Sequence, residues 1–255
     1  MGKHTKKKIN VKRIMYLILI IIFLCGSIYI GKYFYDRYKN NKAKNVLDTI
    51  SIDNSKVTEE KTERILKLEE LQKENSDIIG YLEIDGTNIS YPVLQTTDND
   101  FYLSHNYKKE KTSGGSLFLD KDFDIEKPSS NYLIYGHRMK DGTMFEDLIK
   151  YKEESFYKEH PTIKFTTNSE DAEYEIIAVF ESRVYYKSES NVFRYYYFIN
   201  AENEQEFNDY VESSKKESLY DTGKTVKYGE QLLTLSTCSY HTEDGRLAVV
   251  ARKIK

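Results

Sequence analysis

QLLTLSTCSYHTEDGRLAVVARKIK, residues 231–255, holds the two runs whose reading decides the architecture. Gln231 to Thr237 and Arg246 to Ile254 are short, rich in Leu, Val, Ala and Thr, and separated by a polar loop, so each predicts a β-strand. Alternation along the first run sends Leu233 and Leu235 to one face and Thr234, Ser236 and Cys238 to the other. Cys238 then stands at a strand end beside a loop, where rigid scaffolds present reactive groups. A hairpin of the two strands could return the Arg246 guanidinium to the thiol.

Upstream, similar short runs rich in β-branched and aromatic residues recur between turn residues: Gly80 to Ile84, Ile89 to Val93, Ser116 to Leu119, Tyr132 to Tyr135, Thr162 to Thr166, Tyr174 to Phe180 and Arg194 to Ile199. Helical periodicity interrupts them around Met144 to Tyr151 and Glu204 to Lys215, the latter carrying Phe207, Tyr210 and Val211 at helical spacing. A further helix is expected from Thr58, which can cap, with Glu59 and Glu60 in its first turn and Ile65, Leu68 and Leu71 as its apolar stripe. This pattern predicts a mainly β domain, a barrel or sandwich rather than alternating βαβ units.

The net charge of -3 over 255 residues conceals an asymmetry. Residues 1–45 carry eleven Lys or Arg and one Asp, whereas residues 46–255 carry 27 Lys or Arg against 40 acids. The basic residues flank Ile14 to Ile30, seventeen residues without a charge, at the short end of what spans a bilayer core of about 30 Å. The run exits into Gly31-Lys32-Tyr33-Phe34, with no small-residue cleavage pattern, so a retained anchor is expected rather than a cleaved signal. The expected organisation is a cytoplasmic tail over residues 1–13, a transmembrane anchor over 14–30, a stalk over 31–57 and an extracellular domain over 58–255. An acidic domain argues against nucleic acid as a partner.

The only cysteines are Cys25, inside the apolar run, and Cys238. Cys238 is then a lone thiol in an oxidising compartment, and the absence of a C-x-x-C pair argues against redox exchange. A nucleophilic thiol needs a neighbour that favours thiolate, and a leaving amine needs a proton donor, so a histidine and a further cation are the companions to seek. His137 ends a predicted strand and follows Gly136, which lets another chain approach, while His241 lies three residues past Cys238. Sequence distance does not choose between them. His160 and His105 read as surface residues. Arg246 could hold an oxyanion and favour the thiolate, or simply pair with Glu243 or Asp244. No carboxylate or asparagine is obviously placed to complete a papain-like trio.

TLSTC followed after seven residues by Arg246, together with YGHRM containing His137, resembles the sortases, membrane-anchored cysteine transpeptidases of Gram-positive bacteria. The likeness extends over NSDIIGYLEIDGTNISYPVLQ, GGSLFLD, DGTMFEDL, SFYKEH and the final strand. It is most similar to class B, because of the helix before the first strand and the insert at Glu204 to Lys215. The resemblance implies an eight-stranded sortase β-barrel with an N-terminal helix and helical inserts. It implies that Cys238 attacks the Thr carbonyl of an N-P-x-T-x-like sorting signal on a surface protein and that a peptidoglycan amine resolves the thioacyl intermediate. His137 would then shuttle the proton and Arg246 would hold substrate and oxyanion, with His241 a decoration of its loop. Leu94 and Ser236 match positions lining the family's peptide groove, and the loop around Val192 and Phe193 would shape it. No metal or other cofactor is implied. A pilus-assembling sortase and a membrane-tethered, non-catalytic binding module are the alternatives.

Overall fold

A computed structural model of the chain describes residues 11–50, 57–58, 62–125 and 129–255. The first ten residues of the expected tail, part of the stalk, and Glu59 and Glu60 of the expected first helical turn lie outside the described residues.

Strands β7 (Leu232–Cys238) and β8 (Gly245–Lys253) pair antiparallel, with Leu235 opposite Val249 and Cys238 opposite Arg246. Around them close β1 (Ile78–Glu83), β2 (Ser90–Leu94), β3 (Leu117–Leu119), β4 (Asn131–Tyr135), β5 (Thr162–Thr166) and β6 (Asp171–Arg183). Their order is β1-β2-β3-β4-β7-β8-β6-β5, a closed barrel. Most neighbours are antiparallel, but β4 runs parallel beside β7 in the register Ile134 to Leu235 and Tyr135 to Ser236. That pairing, between strands far apart in sequence, builds the site described below.

The alternation expected for β7 holds, with one difference. Leu233 and Leu235 point into the barrel with Leu247, Val249 and Ile134, all fully buried. The opposite, polar face is covered rather than solvated. Helix α4 (Glu204–Glu217) and a 3-10 turn at Tyr195–Tyr197 lie over it, packing Phe207, Tyr210 and Tyr195 against Ala248, Val250 and Phe180. A buried hydroxyl costs free energy unless it is hydrogen-bonded. The covering tyrosines supply the partners: Tyr210 and Thr234 hydroxyls are 2.8 Å apart, and Tyr195 and Ser236 hydroxyls 2.7 Å apart. Each fully buried side chain of this double-sided core contributes about 1.5–3 kcal/mol of burial free energy.

Three expected elements differ. Arg194 to Ile199 is not a strand but the 3-10 turn just named, because a barrel closed by eight strands offers no edge to a ninth. The helix expected from Thr58 is α2 (Glu63–Glu74), capped one turn later by Thr62, whose hydroxyl accepts from Ile65 N. It starts where its buried stripe Ile65, Leu66, Leu68 and Leu71 starts, so packing rather than capping propensity sets its beginning. The insert around Met144 to Tyr151 is a 3-10 segment, Glu146–Lys152, followed by the short helix α3 (Glu154–Glu159).

Helix α1 (Val11–Asp48) contains the apolar run and continues through the first part of the expected stalk. It is the one helix among the described residues long and apolar enough to cross a membrane. Its far end docks on the barrel. Leu47 and Asn40 are buried, Lys44 Nζ donates to Asn88 O at 3.0 Å, and the same ammonium stands 5.2 Å from the centre of the Tyr91 ring.

Candidate active site

The cross-strand pairing of Cys238 with Arg246 places both side chains on one face of the sheet, about 5 Å apart at Cβ by strand geometry. Continuing the β4–β7 register past Tyr135 and Ser236 brings His137 level with Cys238. Two main-chain ties hold that extension: Gly136 N donates to Ser236 O at 3.1 Å, and Thr237 Oγ1 donates to Gly136 O at 2.9 Å. Gly136 admits no side chain, because a Cβ there would stand 2.4 Å from Leu117 Cδ2 and 2.6 Å from Phe145 Cδ2. The close approach expected at this glycine is therefore made by two core side chains.

His137 and Cys238 are both half-buried and hydrogen-bonded to each other. The bond to His137 is the largest influence on the thiol and lowers its pKa, and the Arg246 charge lowers it further against the opposing pull of burial and Asp244. His137 is shifted the other way, upward, first by the bond to Cys238 and then by a bond to the Leu103 carbonyl, against burial and the Arg246 charge. Opposite shifts of this kind favour a thiolate–imidazolium pair over the neutral pair. His137 Nε2 lies 2.8 Å from Leu103 O and donates to it, which leaves Nδ1 as the ring's other polar atom.

Arg246 does not pair with Glu243 or Asp244 through their carboxylates. Its Nη1 donates to the main-chain carbonyls of Asp244 and Gly245 at 3.2 and 3.0 Å. Among the described residues its guanidinium has no carboxylate partner, so its charge is available to the cleft. The cleft is open, of about 610 Å³, and its lining includes Leu103, Phe118, Tyr135, Tyr195, Tyr196 and Val184 around Cys238, His137 and Arg246.

The other expected residues divide. Ser236 lies in the cleft wall, with its hydroxyl engaged by Tyr195. Leu94 does not line the cleft: it is fully buried in the barrel interior on β2, paired with Phe118 of β3, and Phe118 is the residue that reaches the cleft. Phe193 packs against Phe180 and Tyr210 away from Cys238, and Val184, Tyr195 and Tyr196 form that wall instead. His241 Nδ1 sits 3.0 Å from Ser239 Oγ and 3.2 Å from Glu181 Oε1. His105 stacks on Phe101 and His160 packs on Phe156, so both are half-buried rather than surface residues. Sequence reasoning does not reach the Leu103 and Tyr195 contributions. The only sequence signal for either was an aromatic-rich run, which suggests core. Among the described residues no cluster of three or more His, Cys, Asp or Glu side chains is placed to hold a metal ion.

A closed eight-stranded barrel that brings a cysteine, a histidine and an arginine together at one end is the arrangement expected of a cysteine acyltransferase, and the sequence comparisons agree with it. Residues 82–254 match the model of the sortase domain, and the chain belongs to the sortase family of cysteine transpeptidases. Within the family its likeness is to class B. It is 34% identical to the sortase B of Listeria monocytogenes over 93% of this chain and 94% of that one. The crystal structure of sortase B from Bacillus anthracis in complex with AAEK1 superposes with a TM-score of 0.72 at 33% identity, covering 87% of this chain and 99% of that one. A Staphylococcus aureus sortase B–substrate complex superposes with a TM-score of 0.66 at 30% identity, covering 74% of this chain and 85% of that one.

Proposed function

We propose that this chain joins secreted surface proteins to a cell-wall amine through a thioacyl intermediate on Cys238. The convergence of Cys238, His137 and Arg246 in one cleft, with the thiol pKa pushed down and the imidazole pKa pushed up, is the observation that carries this reading. The donor is an N-P-x-T-x-like sorting signal, laid along the cleft with its Thr carbonyl at Cys238.

The Cys238 thiolate attacks that carbonyl, forming a C–S bond and an oxyanion that the Arg246 guanidinium and main-chain N–H groups stabilise. As the intermediate collapses, the C–N bond breaks and the leaving amine takes the His137 proton. An acceptor amine of a peptidoglycan precursor then gives its proton to His137 and attacks the thioester. The C–S bond breaks, the thiolate returns, and His137 is again protonated. No metal or cofactor has a step in this sequence.

Residues 14–30 span the membrane with the tail of residues 1–13 inside, residues 31–57 connect, and the domain of residues 58–255 faces outward, where both substrates are found. A class B assignment favours wall anchoring over pilus assembly.

The test is to incubate the detergent-solubilised full chain with N-P-x-T-x and L-P-x-T-x peptides, with and without triglycine or diaminopimelate, and to read products by mass spectrometry. Cleavage after Thr that needs Cys238, with an amine-capped product, is the expected result. A free carboxylate alone in the presence of amine would make the chain an endopeptidase. No cleavage, with a thiol that alkylates like free cysteine, would leave the binding-module reading.

A further inference from the structure

A cysteine–histidine pair needs a third group that decides which ring nitrogen faces the thiol, and in many such sites a carboxylate or amide side chain fills that place. Here the His137 Nε2–H points at a main-chain carbonyl, Leu103 O, 2.8 Å away. We propose that the segment Asp98–Ser116 is a backbone clamp that orients His137 through the Leu103 carbonyl, with Asp98 and Gly115 as its positioning residues. The proposal deepens the transpeptidase reading and rests on it.

Four features make the carbonyl a fixed acceptor. Asp98 Oδ1 accepts from Asp100 N at 2.8 Å and Phe101 N at 2.7 Å, which winds the 3-10 turn Phe101–Leu103 that presents it. Tyr102, in the middle of that turn, is buried and anchored: its hydroxyl donates to Asp77 Oδ2 at 2.7 Å and accepts from Asn75 Nδ2 at 2.9 Å. Asn99 Nδ2 donates to Asp120 Oδ2, which also accepts the Tyr135 hydroxyl, each at 3.0 Å, so the segment is tied to the end of β4, two residues before His137. The fourth is the close approach at Gly115. It has φ of +57°, and a Cβ there would stand 2.3 Å from Tyr102 O and 2.8 Å from Leu103 O. A side chain at that point would have to displace the peptide units that hold His137.

A carbonyl does this task differently from a carboxylate. It fixes tautomer and orientation but adds no full negative charge beside the imidazolium, so the Cys238 thiolate stays the ring's main counter-charge. The other charged groups around the pair are Arg246 on β8, Asp244 in the loop before it, and Asp100 at the cleft rim. Because Asn99, Asp100 and Leu103 also line the cleft, a bound donor peptide would press on the same segment that sets the histidine.

The experiment uses the full chain in detergent, with Cys25→Ser so that alkylation reports Cys238, and compares Gly115→Ala, Asp98→Ala and Asp98→Asn. Two readouts are taken: the pH midpoint of iodoacetamide alkylation, and kcat and KM for peptide cleavage. Gly115→Ala and Asp98→Ala are expected to raise the midpoint towards that of free cysteine and to lower kcat on the order of tenfold to a hundredfold, with a smaller change in KM. Asp98→Asn, whose amide oxygen can accept the same two N–H bonds, should restore the Asp98→Ala midpoint. Should Gly115→Ala fail to fold, the pair of variants at the exposed Asp98 decides. A midpoint unmoved from wild type in the folded variants overturns the clamp, as does an equal shift in Asp98→Asn and Asp98→Ala, which would point to charge instead of the turn. A wild-type thiol that already alkylates like free cysteine would remove the catalytic reading itself, and the clamp with it.

Discussion

His241 follows Cys238 by three residues and His137 arrives from a separate strand, yet their surroundings are the reverse of what sequence proximity suggests. His241 turns its Nδ1 to Ser239 and Glu181, and Glu181 also takes Lys152 Nζ at 2.9 Å and the Ser239 hydroxyl at 2.7 Å. That cluster ties the β7–β8 loop to β6. His137 has the thiol on one side and the Leu103 carbonyl on the other. Strand order explains the contrast. Pairing β4 parallel to β7 places the ends of two distant strands together, whereas His241, in the loop that follows Cys238, is held by Ser239 and Glu181. Chemistry at a barrel rim is set by which strands are neighbours, and local spacing is a poor guide to it.

Substitutions rank this contrast by effect. Cys238→Ala should abolish peptide cleavage altogether, since no other thiol lies in the cleft. His137→Ala should lower kcat/KM by about a thousandfold or more, as expected when the general acid and base of a covalent mechanism is removed. Arg246→Ala should cost on the order of a hundredfold through lost oxyanion stabilisation, and Arg246→Lys should restore little, because an ammonium lacks the planar fork. His241→Gln should change kcat/KM by no more than about twofold, consistent with a partly exposed pair at a surface network. Steady-state assays with one fluorogenic peptide place all five on one scale, and equal losses at the two histidines would erase the distinction.

The pH dependence follows from the directions of the two shifts. A lowered Cys238 pKa fills the thiolate below the ordinary range for cysteine, and a raised His137 pKa keeps the imidazolium to higher pH than usual. The productive pair therefore grows as pH rises through the thiol's value and is lost as pH rises through the imidazole's. Cleavage plotted against pH should be bell-shaped, and His137→Ala should remove the alkaline limb that belongs to the imidazolium. One expected effect is structural rather than kinetic: Tyr195→Phe strips the Ser236 hydroxyl of its buried partner and should cost about 1 kcal/mol in thermal unfolding, with little change in the alkylation midpoint.

The hairpin was the legible part of this molecule. In β7 and β8 the side chains alternate between two dry faces, so a period of two is written directly into Leu233, Leu235, Leu247 and Val249. Arg194 to Ile199 misleads because Tyr195 and its neighbours have the composition of a strand but form a cover in which the Tyr195 hydroxyl satisfies Ser236 and the rings fill space. Leu94 misleads in the other direction: a motif match carries no information on which of two adjacent side chains faces the cleft, and here Phe118 does. The Leu103 contribution was invisible in principle, since a main-chain carbonyl has no residue type. The contact between α1 and the barrel was hidden for a different reason. Asn40 and Lys44 are polar and read as spacer, yet Asn40 is buried and the Lys44 ammonium stands over the Tyr91 ring, as a long amphipathic side chain can.

The alkylation rate of Cys238 across pH, in the Cys25→Ser protein and in the same protein with His137→Ala or His241→Ala, tests the central claim most directly. The account predicts a midpoint below that of free cysteine, raised by His137→Ala and unmoved by His241→Ala. A midpoint raised by His241→Ala and unmoved by His137→Ala would contradict it and transfer the site to the other histidine.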